Sequence, residues 1–351
     1  MAVSGLDHPS DIASWRQWQL RQRGIKARVK GRMDAMPWHG RPPIRLTATG
    51  GPGCDLLIAL DAATPTAVLA LLRPLEHLRG ISIRIASRES LADIVPAGEW
   101  NERHADVDAV TVLATRATTV LALGHYLPLG AAAYRGARTA TFFTVQHGLI
   151  APQAPPLAPN THLLAWSQAD ADFWRSGRTD VAATVVGSQL LWEAAQKHIA
   201  DPPAPTDRPV YLGQLHGAEL DRAELAASTE RFCRQTHAIY RPHPSERDRR
   251  SRAQHRKWAA QGIEIDSGAT PLAELNTPIV SAFSTGILEA AAKGLPAWAY
   301  HANPPQWLAE FWQRYGMHQW GDSPTPPPPQ PDIEPAEAIA NAVMEAIGTA
   351  R

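Results

Sequence analysis

Twice along the chain, short runs rich in valine, isoleucine and leucine alternate with stretches of helical spacing, and no other feature restricts the fold as much. The first series is CDLLIALD (Cys54 to Asp61), ISIRIAS (Ile81 to Ser87), DAVTVLAT (Asp108 to Thr115), TVLALGH (Thr119 to His125), ATFFTVQHG (Ala140 to Gly148), HLLAWS (His162 to Ser167) and AATVVGS (Ala182 to Ser188). Helical segments such as TPTAVLALLRPLEHLRG lie between them. Runs that are apolar throughout, rather than every second residue, suit strands of a parallel sheet covered on both faces. After the passage LLWEAAQKHIADPPAPTDRP the series restarts with PVYLGQL, a helix from Ala218 to Gln235, HAIYRPHP, a helix from Ser245 to Gln261, IEID, and TPIVSAFSTGILEAAAKGLPAWAYH. That last stretch reads as strand, tight turn, helix ended by Gly294, and strand after Pro296.

The fold class expected is therefore α/β, with two Rossmann-like domains facing each other across a cleft. A chain of 351 residues fits two domains of roughly 150 residues each. The proline-rich shift places the boundary near Asp201. Residues 1–200 form a first domain with a basic N-terminal helix, 201–320 a second, and 321–351 a proline-rich spacer, GDSPTPPPPQPDIEP, with a last helix from Ala336 to Ile347.

Lys plus Arg and Asp plus Glu both total 34, so the net charge is zero and general nucleic-acid binding is not expected. Cys54 and Cys233 are far apart and have no metal-ligand spacing, which fits two buried thiols in a reducing compartment. No apolar run reaches the roughly 20 residues that span a bilayer, and MAVSGLDHPSD lacks the regions of a signal peptide, so a cytoplasmic protein is expected. Ser14 to Met33 carries Trp15, Trp18, Ile25 and Val29 near helical spacing among seven basic residues and no acidic ones. Such a helix suits a peripheral contact with anionic lipid through Trp15 to Arg32, or an acidic partner, or packing on its own domain with a solvated basic face.

Three clusters follow expected strands, at the end where open α/β sheets bind ligands. In SAFSTGILEAAAKG the hydroxyls of Ser284 and Thr285, the small Gly286 and a helix N-terminus make a phosphate seat, or an ordinary cap with Glu289 complementing the dipole in the first turn. In YRPHPSERD, Pro242 and Pro244 hold His243 rigid beside Arg241, so that both can meet a diphosphate; alternatively, His243 caps the helix opened by Ser245 and Glu246. In FFTVQHGLI, Gln146, His147 and Gly148 end a buried strand with a group able to take a proton and a residue that permits close approach.

Weaker features are LTATGGPGCD, whose glycines precede a strand where a dinucleotide fingerprint follows one, and LGQLHG, where Gly213 and Gln214 line the nucleotide side or simply turn the chain. Asp61 and His125 stand at strand ends as reserve bases. The histidines show no metal-ligand spacing, and neither a metal nor a cofactor is inferred.

QHG at a strand end of the first domain, and RPHP followed some forty residues later by SAFSTGILEAAAKGLP in the second, resemble GT-B-type transferases. The resemblance is nearest to CDP-glycerol glycerophosphotransferases of teichoic acid synthesis, bacterial sialyl- and polysialyltransferases and capsule Kdo transferases, and covers roughly Ala140 to Tyr300. It implies that His243 with Pro244, and Ser284 with Thr285, hold the donor's phosphate and nucleotide, and that His147 with Gly148 acts in transfer. VVGSQLLWEA resembles the passage between domains in such folds. The acidic acceptor motif of sialyltransferases is not found.

The expected activity is inverting, metal-independent transfer from a nucleotide-activated donor, CMP- or CDP-linked, to a cell-surface glycan or its lipid-linked precursor. His147 serves as the base, while His243, Arg241 and the Ser284 to Gly286 helix start hold the leaving phosphate. Two alternatives stay open. A nucleotide-sugar 2-epimerase would use the same fold without an acceptor, and a non-catalytic nucleotide-sugar-binding protein of a glycan assembly complex would not need His147.

Overall fold

The computed structural model describes residues 5–22, 43–197, 199, 202–204, 207–268, 270 and 274–350. The chain divides into two compact units, Met1–Gln189 with Pro331–Arg351, and Leu190–Gln330.

In the first unit the elements are α1 (Ile12–Gln22), β1 (Ile44–Thr49), β2 (Leu56–Leu60), α2 (Pro65–Leu71), a 3-10 turn (Arg73–His77), β3 (Ile83–Ser87), β4 (Asn101–Ala105), α3 (Val107–Ala114), β5 (Thr119–Ala122), α4 (Pro128–Gly136), β6 (Thr141–Val145), β7 (His162–Ala165), α5 (Gln168–Arg175) and β8 (Ala182–Val185). Among the described residues these strands make one sheet in the order β4-β1-β3-β2-β5-β6-β7-β8. From β3 to β8 it is parallel, as expected.

Strand β2 shows why the apolar runs are continuous. Leu56, Ile58 and Leu60 enter one core with Leu71, Ile85 and Leu121, while Leu57 and Ala59 enter another with Val110, Val120 and Leu129. Burying each such side chain contributes about 1.5–3 kcal/mol, so a polar residue on either face would be costly.

Two expectations are corrected here, and for the N-terminal helix one of the expected alternatives, packing on its own domain, is observed. The sheet is mixed, because β1 pairs antiparallel with both β3 and β4. DAVTVLAT forms helix α3 instead of a strand: Asp106 caps it by accepting from the Ala109 amide at 2.9 Å. Its buried residues Val107, Val110 and Ala114 follow the helical period that a short β-branched run conceals. Of the basic N-terminal stretch, α1 packs on its own unit. Trp15 is buried, donates from Nε1 to the Gln153 carbonyl at 2.8 Å and meets the Tyr126 ring edge-on. Residues 23–42, with Ile25, Val29 and most of the basic side chains, lie outside the described residues.

In the second unit, after α6 (Gln189–Gln196) has carried the chain into it, come β9 (Val210–Leu212), α7 (Arg222–Thr236), β10 (Ile239–Arg241), α8 (Arg249–Ala260), β11 (Ile279–Ser281), α9 (Thr285–Ala292), β12 (Ala297–Ala299) and α10 (Gln306–Arg314). The strands form a parallel sheet ordered β10-β9-β11-β12, packed around Tyr211, Phe232, Tyr240, Trp258 and Trp298. IEID contributes a single bridge, Ile265 to Tyr240, rather than a strand. Helix α8 starts at Arg249, capped by Asp248 through the Arg250 and Ser251 amides, which leaves Ser245 and Glu246 outside it.

The final helix, α11 (Pro335–Ala350), returns to the first unit, where Ile339, Ala340, Val343 and Ile347 join the core that holds Leu56 and Leu121. Gln189 fixes its start, donating to Glu334 at 2.7 Å and accepting from the Ala336 amide at 3.0 Å. Cys54 and Cys233 are buried and unpaired, and burial pushes their thiols up to about 11 and about 12. Among the described residues no helix is long and apolar enough to cross a membrane.

Candidate functional site

In the second unit the parallel register sets Arg241, Leu212, Ser281 and Ala299 in one row, so the loops that follow all leave the same edge of the sheet. Four of the expected residues, Gly213, Gln214, His243 and Ser284, stand in those loops within a few residues of a strand end. Gln214 ties two of the loops together, its Oε1 accepting from Ser281 Oγ at 3.0 Å and from the Phe283 amide at 2.9 Å. That fixes the turn which presents Ser284.

His243 has a partner that sequence reasoning did not single out. Its ring stacks on His216, with centroids 3.8 Å apart and planes 16° from parallel. His243 Nδ1 accepts from the Ser245 amide at 3.1 Å, so the neutral ring carries its proton on Nε2. Burial, and then the neighbouring His216, lower the His243 imidazole to about 4 against an opposing effect of Glu246. His216 is also lowered, by burial first and Arg222 last, again against Glu246.

Glu246 organises this loop pair from beneath. Its buried carboxylate accepts from the Leu215 amide at 2.9 Å and the Tyr240 hydroxyl at 2.8 Å, and lies 2.9 Å from His255 Nε2. Arg222 grips the Leu215 carbonyl from the other side and donates to Ser251 Oγ at 2.9 Å. Leu215, the residue before His216, is thus held at both its N–H and its C=O. Gly213 is required by this packing: a Cβ there would stand 2.2 Å from the Tyr240 hydroxyl oxygen and 2.7 Å from Glu246 Oε1. The only sequence signal for His216 was its place in LGQLHG, two residues after Gln214.

Arg241 is engaged within the unit, pairing with Asp266 at 2.7 Å and donating to the Thr270 carbonyl at 2.5 Å. Ser284 caps α9, accepting from the Gly286 amide at 3.1 Å, with Thr285 half-buried at the first helical position. Glu289 stands in the second turn of α9, past the first turn where it was expected to complement the dipole. Burial raises its carboxyl, opposed by Lys293.

In the first unit, His147 follows β6 at the carboxyl end of the parallel strands, and its loop is braced by Gln146. That side chain is buried and donates to the Gly148 carbonyl and to Asp170 Oδ2, both at 3.0 Å. It also accepts from the Trp166 amide at 2.8 Å, while the Trp166 indole donates to the Gln146 carbonyl at 3.0 Å. His147 Nδ1 is enclosed with no hydrogen-bond partner among the described residues, and burial lowers the imidazole to about 4, with the Val145 backbone opposing. At Gly148 there is open space where a Cβ would stand.

His125 stands three residues past the neighbouring strand β5, also with an enclosed Nδ1 that has no hydrogen-bond partner among the described residues and an imidazole lowered by burial to about 4. Asp61, the carboxylate at the end of β2, has both oxygens occupied by the Leu129 and Gly130 amides at 2.8 and 3.1 Å, and so caps α4. Among the described residues no group of three or more His, Cys, Asp or Glu side chains is placed to hold a metal ion.

No protein-family model matches the sequence, and no curated protein matches it. Solved structures do resemble it. UDP-GlcNAc 2-epimerase from Methanocaldococcus jannaschii, in complex with UDP-GlcNAc and UDP, aligns at 13% identity over 83% of this chain and 99% of its own, with a TM-score of 0.50. Anabaena HepE, in complex with UDP and glucose, aligns at 14% identity over 84% of this chain and 90% of its own, with a TM-score of 0.41. A Thermobaculum terrenum O-GlcNAc transferase mutant aligns at 11% identity over 96% of this chain and 72% of its own, with a TM-score of 0.45. At 13% identity the likeness to the epimerase is one of fold alone, and the fold is α/β of the GT-B type.

Proposed function

We propose that the protein is an enzyme that transfers an activated group, glycosyl or glycerol phosphate, from a nucleotide-activated donor to a hydroxyl acceptor. The observation that carries this reading is the stacked His216 and His243 pair at the carboxyl edge of the second sheet, tied through Gln214 to the Ser284 turn. Imidazole N–H groups and a helix start set on one sheet edge suit a phosphate whose charge grows as it leaves. Arg241, paired with Asp266 and donating to the Thr270 carbonyl, stiffens this loop. In the first unit His147, neutral at physiological pH, would accept the acceptor's proton, a role worth roughly 10² to 10⁴ in rate. The acceptor expected from the resemblance is a cell-surface glycan or its lipid-linked precursor.

Epimerisation is the second reading, favoured by the alignment to nearly the whole length of a UDP-GlcNAc 2-epimerase. Against it, the one carboxylate noted at a strand end of the first sheet, Asp61, is spent on capping α4. Consumption of donor without acceptor, yielding an epimer, would decide for it.

The test of the nucleotide is a thermal-shift panel of CMP, CDP, UDP, GDP and dTDP, because a ligand that binds only the folded state raises its apparent stability. The resemblance leads us to expect the largest rise with a cytidine nucleotide. A preference for UDP would replace that assignment, and no rise with any of them would remove the proposal. With the donor known, His147→Ala should abolish turnover and leave donor affinity intact; unchanged turnover would show that His147 is not the base, and a wild type that binds the donor without turning it over would point to binding without catalysis.

A further inference from the structure

One helix of the second unit concentrates its positive charge. Of the fourteen Lys and Arg residues between 190 and 330, six (Arg247, Arg249, Arg250, Arg252, Arg256 and Lys257) fall within eleven residues, and all six are exposed. The single acid among them, Asp248, is spent on capping α8, where it accepts from the Arg250 and Ser251 amides and from Ser251 Oγ. Lys257 pairs with Glu230 at 3.6 Å; the other five have no ion-pair partner among the described residues. Arg252 Nε donates to the Arg247 carbonyl at 2.8 Å, a neutral partner that leaves its charge unmatched.

The helix turns this charge outward. Ser251 and Trp258 are buried and Gln254 and His255 half-buried, which sets one face against the core that holds Tyr240 and Phe232. At the helical period Arg249, Arg252, Ala253, Arg256 and Ala260 fall on the opposite face, with Arg250 and Lys257 at its borders. Two local preferences are broken to place them there. Arg249 and Arg250 occupy the first turn, at the positive end of the helix dipole, and no acid stands with them. Arg249 with Arg252, and Arg252 with Arg256, are like charges one turn apart. An anion outside the helix relieves both.

Between the arginines this outer face carries only alanine. It offers no aromatic ring to stack a base and no amide to read a base edge, the contacts nucleic-acid recognition adds to phosphate binding. It also has no large apolar side chain to insert among acyl chains. What it suits is electrostatic contact with a layer of negative headgroups, where each Lys or Arg near the surface adds a factor of about 5 in affinity. We infer that the outer face of α8 is a docking surface for a membrane that contains anionic lipid. The helix starts from the sheet edge that carries His243, so docking through it brings lipid alongside that edge. The inference does not rest on the reading of the donor site.

The test is co-sedimentation of the full chain with vesicles of phosphatidylcholine alone and with about 30% phosphatidylglycerol. Binding should need the anionic lipid and weaken as salt is raised. Arg249→Gln, Arg252→Gln and Arg256→Gln together keep helix propensity, touch no core residue and should weaken binding on the order of 100-fold. A control that removes the same charge from exposed positions of the first unit, Arg103→Gln, Arg116→Gln and Arg138→Gln, should bind as the wild type does. Binding lost in the α8 variant and kept in the control establishes the surface. Equal binding by the wild type and the α8 variant, or no binding to anionic vesicles, would overturn it. A duplex oligonucleotide held through the same arginines while vesicles are ignored would replace the membrane with a polynucleotide.

Discussion

The rings of His216 and His243 lie 3.8 Å apart and nearly parallel, each on the loop that follows one of two neighbouring parallel strands. Two imidazolium ions cannot share that spacing, so each ring discourages the other's protonation. The pair is therefore uncharged at neutral pH, and under the proposed function it would meet a phosphate as a neutral donor set.

Removing one ring tests this. In the wild type the His243 Hε1 signal should titrate near the lowered value of about 4. In His216→Ala, loss of both the covering ring and its repulsion should raise that value toward the ordinary 6.5. Nucleotide affinity, flat between pH 6 and 8 in the wild type by the expectation for a neutral donor, should then strengthen on the acid side in the variant. NMR titration and calorimetry check the two halves, and an unmoved His243 in the variant would show that the stack does not control it.

Three imidazoles, His125, His147 and His243, are each lowered to about 4 from an ordinary value of 6.5. The sign follows from proton counting: between these values the unfolded chain binds protons that the folded chain refuses. Stability should thus be unaffected by these groups above about pH 7, fall as pH drops from 6.5 toward 4, and lose no more to them below that. Melting temperatures across this range check it, and His125→Gln should flatten the slope.

Most of the strands that sequence reading located are apolar on both faces, because a doubly covered strand has to be apolar at every position; the exposed edge strand β8 was found from its β-branched run instead. Strands β1 and β4 escaped it: the edge strand NERHA is almost wholly exposed and carries no apolar signal, and IRLTAT alternates polar with apolar residues and runs into a glycine-rich turn. At the site, His243, Ser284 and His147 were legible because proline, glycine or a hydroxyl punctuates an apolar run. His216 and Glu246 were not, since their roles arise from contacts across loops: Glu246 belonged by sequence to a helix start and instead turns inward to Tyr240 and the Leu215 amide.

That inward turn makes a prediction at Gly213. A methyl group there meets Tyr240 Cζ at 2.6 Å as well as the two oxygens of the buried Tyr240 and Glu246 pair, none of which is the free end of a flexible chain. Gly213→Ala should destabilise the protein by about 1–3 kcal/mol, as overpacking does. It should also loosen the loop that holds His216. Denaturant melts measure the first effect, and His216 ring line widths the second.

Gln146 concentrates the last prediction, because one side chain holds the strand end that carries His147. Gln146→Leu keeps the volume but leaves the Trp166 amide, the Gly148 carbonyl and one oxygen of the buried Asp170 without their shared partner. Leaving the Trp166 amide and the Gly148 carbonyl unmet costs about 1–3 kcal/mol for each, so the variant should melt well below the wild type. Gln146→Glu separates support from charge: it can still accept from Trp166, but it sets a second carboxylate against Asp170 and can no longer donate to the Gly148 carbonyl. One of the two acids should then stay protonated near neutral pH, and stability should recover as pH falls toward 5 while the wild type weakens through its histidines. If Gln146→Glu and the wild type show parallel stability profiles, Gln146 does not clamp Asp170, and the loop bearing His147 takes its rigidity from elsewhere.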